Sequence, residues 1–72
     1  MKNLILTSDD KGEVWYNLDA IVNIAFGLAV NLLNESDIHG NGLKPLETVM
    51  IIYFKDNNSA TYSVSGWTMS FD

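Results

Sequence analysis

Glu35, Asp37 and His39 stand at alternate positions in a stretch rich in asparagine and glycine, and two carboxylates with one imidazole are donor types that hold a divalent cation. Their spacing matches neither an EF-hand loop nor a zinc signature, and a flexible segment does not preorganise ligands, so the expectation is a solvated loop without metal. Asp9 and Asp10 are adjacent carboxylates, but they fall in a turn where nothing excludes water, and a general acid needs an environment that raises its pKa. Nucleophilic chemistry lacks its parts as well. His39 is the sole imidazole, cysteine is absent, and Ser65-Gly66 lacks the flanking glycine of a nucleophile elbow. His39-Gly40-Asn41-Gly42 has two glycines but no lysine-serine pair behind it to cradle a phosphate. The chain therefore reads as non-enzymatic and free of cofactors.

Binding is the chemistry that remains. Trp15, Tyr16, Trp67 and Phe71 are the large aromatics that would dominate either a core or an interface. Trp67, Met69 and Phe71 lie close to the last residue, where chains fray unless something packs on them, so these three and Trp15 are expected at a self-association surface. Glu35, Asp37, His39, Asn41 and Lys44 are the expected contacts for a protein partner, because 34–45 is the longest stretch without strand pattern.

Composition narrows the partner. The chain has 72 residues, nine acids against four lysines, no arginine and a net charge of -5. Phosphate backbones are bound by basic faces, so direct nucleic-acid binding is disfavoured. A small anionic ligand held between subunits stays open as an alternative, with Lys44 or Lys55 in place of the missing arginines. No cysteine means no disulfide staple, which fits a reducing cytoplasm, here that of a bacterial host cell. Residues 20–34 carry no charge, but Asn23, Gly27 and Asn31 interrupt them and a spanning helix needs about 20 mostly apolar residues. No membrane crossing and no export signal are expected. One domain this small is marginal alone, and 47% hydrophobic content suits a homo-oligomer, a dimer or higher.

The elements follow from periodicity. Residues 3–7 and 13–18 flank a polar turn ending at Gly12 and read as a hairpin that points Val14, Tyr16 and Leu18 inward and Trp15 outward with Glu13 and Asn17. Residues 48–54 are apolar on both parities, as in a central strand covered on both faces, and 55–59 turn the chain into a second hairpin with 60–64. For 19–34 two patterns compete. As a helix, Asp19, Asn23, Gly27, Asn31 and Asn34 form one polar stripe; as a strand, 22–33 alternates large with small or polar residues. Glycine, asparagines and branched residues disfavour the helix, so 22–33 is expected to pair with 46–55 as a long hairpin, joined by a mobile 34–45. The apolar parity switches at Ser65-Gly66, which marks a bulge or corner. The expected fold is one mainly β domain over 1–72, about five antiparallel strands in a small barrel or curved sheet. The alternative is an α+β fold with helix 19–34 packed on an antiparallel sheet.

Residues 16–24, YNLDAIVNI, and 51–64, IIYFKDNNSATYSV, together resemble the strand, NxDxIV, strand and strand, turn, strand arrangement of small bacterial and phage β-proteins such as the short flagellar swarming-motility family. The resemblance covers roughly half the chain. It implies an SH3-like or five-stranded small barrel, with Leu18 to Ile21 a single helical turn between strands, and carries over no functional residue. The function expected is stoichiometric binding, of the kind by which phage-encoded proteins inhibit a host defence factor. Alternatives are a structural or regulatory bacterial oligomer and a sponge for an anionic nucleotide signal.

Overall fold

The computed structural model describes residues 2–72. Its elements are β1 (Asn3–Ser8), β2 (Gly12–Asn17), a 3-10 turn (Leu18–Ala20), β3 (Ile21–Leu28), α1 (Ala29–Leu32), α2 (Glu35–Gly40), β4 (Thr48–Phe54), β5 (Ser59–Ser63) and β6 (Thr68–Phe71). The fold is mainly β. Two antiparallel three-stranded sheets, ordered β2-β1-β6 and β3-β4-β5, pack on one another without closing into a barrel. Among the described residues six strands form rather than about five, because the parity switch at Ser65-Gly66 is a corner between sheets. β5 ends at Ser63, the Gly66 N–H donates to the Ser63 carbonyl at 3.1 Å, and β6 begins beside β1 in the other sheet.

β4 holds the molecule together, since both of its faces are buried. Met50 and Ile52 face the other sheet, where they cluster with Leu4 and Leu6 and with the flanking Val14, Tyr16 and Ile24. Val49 and Ile51 face the opposite way and cluster with Ala29 and Ile38, bordered by Leu32, Leu33 and Leu43. Each such side chain removed from water contributes about 1.5–3 kcal/mol, so one strand joins two small cores that could not persist separately. The two expected hairpins form, with Leu4 opposite Tyr16 and Leu6 opposite Val14 in the first. In the second, Asn57 supplies the left-handed residue of the turn at φ 70°.

The long hairpin also forms, with Ile24 opposite Ile52 and Phe26 opposite Met50, but β3 stops at Leu28. Residues 29–33 do not continue the strand, and the helix over 19–34 does not form either. Gly27 explains the break. A Cβ there would lie 3.2 Å from Leu32 Cδ1, so the bare glycine lets α1 fold back and lay Leu32 over the sheet. The turn buries Ala29 and leaves Val30 exposed.

Nor is 34–45 an irregular mobile loop. Asn34 caps α2 by accepting the Asp37 N–H at 2.8 Å, and Ile38 is only 7% exposed. At the other end the Leu43 N–H reaches the Ile38 carbonyl and the Gly42 N–H the His39 carbonyl, with Gly42 at φ +65°. This is a Schellman ending, which requires a residue comfortable in left-handed backbone. Replacing 36–42 by glycine and serine would delete a core residue.

Candidate functional site

Folding 35–40 as a helix regroups the residues expected to meet a partner. Positions 37 and 41 are four apart and share one side of α2, while 35 and 39 share another, with Ile38 pinned to the core between them. Glu35, Asp37, His39, Asn41 and Lys44 are all exposed, but only Asp37 and Asn41 line a common feature. That feature is a cleft of about 340 Å³ between α2 and β5, completed by Leu33, Ser59, Ala60 and Thr61. Asn41 is held in place by its own side chain, whose Nδ2 donates to the Asp37 carbonyl at 2.8 Å. Lys44 lies in the connection to β4, where its backbone N–H donates to Glu47 Oε2 at 3.1 Å. Among the described residues, no three His, Asp or Glu side chains converge as metal ligands.

β5 forms one edge of its sheet, since it pairs only with β4. The Val64 N–H bonds the Thr48 carbonyl and the Phe54 N–H bonds the Asn58 carbonyl, so even-numbered β4 residues turn their backbone groups toward β5. Alternation then directs the backbone groups of Ser59 and Thr61 outward, beside the cleft. An open ladder of donors and acceptors next to an exposed carboxylate is the arrangement that takes an added strand carrying a basic side chain.

A second cleft, of about 320 Å³, lies where the β1–β2 turn meets the β5–β6 corner and is lined by Ser8, Asp9, Asp10, Ser65 and Trp67, among others. Ser8 is buried, and its Oγ donates to Asp10 Oδ1 at 2.8 Å. That bond, with Asp10's own backbone N–H and the charge of Lys11, holds the Asp10 carboxyl below its ordinary range. A carboxylate kept ionised in this way does not serve as a proton donor at neutral pH. Glu47 is likewise held low, first by the Ser63 hydroxyl and then by the Lys44 backbone N–H and the Lys44 charge. Both carboxylates favour the folded state above the ordinary carboxylate range, a contribution lost as pH falls through their depressed values.

The residues expected at a self-association surface separate as well. Trp67 packs inward, its ring edge-on to Tyr62 at 5.0 Å, and covers the core between the sheets. Trp15 is 52% exposed on the outer face, where its Nε1 donates to Glu13 Oε1 at 3.1 Å. Met69 and Phe71 sit opposite Leu6 and Leu4 in the ladder, on the inward side of β6, yet both stay exposed. The cleft wall on β5 and the open edge of β3 carry no motif, and only the sheet order reveals them. Among the described residues, no helix is long and apolar enough to cross a membrane. Comparison with known protein families, curated proteins and solved structures finds no match.

Proposed function

We propose that the protein acts by stoichiometric binding of a protein partner that docks an extended, basic segment along β5 and α2. The observation that carries this reading is the cleft in which Asp37 and Asn41 stand beside the outward backbone groups of Ser59 and Thr61. Main-chain bonds along an edge strand supply affinity without regard to sequence, and Asp37 supplies the preference for a cationic side chain. A net charge of -5 speeds encounter with such a partner more than it deepens the complex. In a bacterial cytoplasm, a chain of this kind would act as phage-encoded inhibitors do, by occupying a host component.

The test compares two acids in the first turn of one helix. Both Glu35 and Asp37 lie near the α2 N-terminus, so replacing either by lysine forfeits a similar helix-end contribution of about 0.3–1 kcal/mol. Only Asp37 lines the cleft. Affinity capture from bacterial lysate is expected to lose the partner with Asp37→Lys and to keep it with Glu35→Lys. Retention by both variants, or equal loss from both, contradicts the assignment.

A further inference from the structure

β3 forms the other edge of its sheet, and at eight residues it is the longest edge strand among the described residues. The Leu28–Thr48 pair fixes its orientation: Thr48 turns its carbonyl to β5, so the Leu28 N–H faces away from β4, and alternation points the backbone groups of Ile24 and Phe26 the same way. The Ile24 N–H accordingly finds only its neighbour, Asn23 Oδ1, at 2.9 Å. Sheet edges are normally guarded by charge or proline. This one has neither, since 20–34 contains no ionisable residue and no proline. Glu13 guards the β2 edge, and Asp72 follows β6.

We propose that β3 pairs antiparallel with β3 of a second copy about a two-fold axis at Phe26, giving a continuous sheet in the order β5-β4-β3-β3-β4-β5. A second copy is the occupant because the edge is self-complementary. Ile24 and Leu28 flank Phe26 at equal spacing, so the two-fold sets Ile24 opposite Leu28 and Phe26 opposite Phe26; the two Phe26 residues exchange N–H and C=O, and the Leu28 N–H donates to the Ile24 carbonyl, while the Leu28 carbonyl keeps the first bond of α1. Charge is compatible with this: a chain of net charge -5 meets its copy along a stretch, 20–34, that carries no charge. Phe26 sits on the inward face opposite Met50 yet is 55% exposed, and the pairing lays the two rings against each other. The register irregularity between Ile21 and Asn23 ends the regular ladder there and excludes a centre nearer Val22. The two-fold leaves both α2–β5 clefts at the far edges of the joined sheet, so the pairing is independent of partner binding.

The chain has no cysteine, which permits a direct test. Residues directly opposed in a hydrogen-bonded antiparallel pair lie about 5.5 Å apart at Cα, within the roughly 4.4–6.8 Å that a disulfide spans. Phe26→Cys is expected to cross-link to a dimer under mild oxidation, whereas Val22→Cys, at a site 66% exposed, stays single. Light scattering of the unmodified protein at tens of micromolar is expected to give twice the 8.0 kDa chain mass. Phe26→Lys and Phe26→Glu each give the single mass with an unchanged circular dichroism spectrum, and mixing them restores the double mass. A single-chain mass for the unmodified protein, or cross-linking of Val22→Cys as readily as Phe26→Cys, overturns the proposal. If Phe26→Lys unfolds, the cysteine pair decides alone.

Discussion

Tyr62 shows how a residue's chemistry here is set by packing. Its hydroxyl meets that of Tyr16 across the gap between the sheets, and Trp67 closes over its ring. Burial, and then the bond to Tyr16, raises the Tyr62 pKa well above the ordinary tyrosine value. A folded-state pKa raised in this way means that the neutral form belongs to the fold. The contribution is complete below about pH 10 and is lost as pH rises beyond it, because the unfolded chain ionises first. The melting temperature is therefore expected to fall above about pH 10. Tyr62→Phe flattens that alkaline limb and lowers stability at neutral pH by about 0.5–1.5 kcal/mol for the lost hydrogen bond. Circular dichroism melts between neutral and alkaline pH check both, and an alkaline limb unchanged in the variant contradicts the assignment. The inward direction of Tyr16 was legible from alternation in its hairpin. Its partner, 46 residues away, was not, because a contact between two sheets depends on how they cross rather than on either strand's pattern.

Among the elements, the hairpins were legible and the short helices were not. β4 announced itself by apolar residues on both parities, and it is covered on both faces. Residues 29–33 continued the alternation of β3 closely enough to hide the turn at Gly27, whose cause is a tertiary contact with Leu32. α2 had local signals that its polarity masked: Asn34 as cap, acids in the first turn, and Gly42 just past the end. Its stability comes from two places that mutation can separate. Asn34→Ala removes a capping bond and is expected to cost about 0.5–2 kcal/mol. Ile38→Ala opens a cavity against Val49 and Ile51 and is expected to cost about 2–5 kcal/mol. His39→Ala on the exposed side is expected to stay within about 0.5 kcal/mol of the parent. Chemical denaturation orders the three, and an Ile38→Ala cost no larger than that of His39→Ala contradicts the anchoring of α2.

At the scale of the molecule, the β4 strand carries a core on each side, and β3 and β5 form the two edges of its sheet. Composition conveyed the acidity, and the periodicity of the runs conveyed the β-rich character. It did not convey which edges stay open, because strand order is a property of the assembled sheets. The open β5 edge, with Asp37 beside it, underlies the proposal that this protein works by occupying a partner rather than by altering one. Calorimetric titration of the captured partner with the protein, followed by mass measurement of both, tests that claim most directly. Saturation is expected at a fixed ratio of one partner per α2–β5 cleft, with both masses unchanged. A covalent change in the partner that runs to completion with the protein far below stoichiometric amount would contradict it.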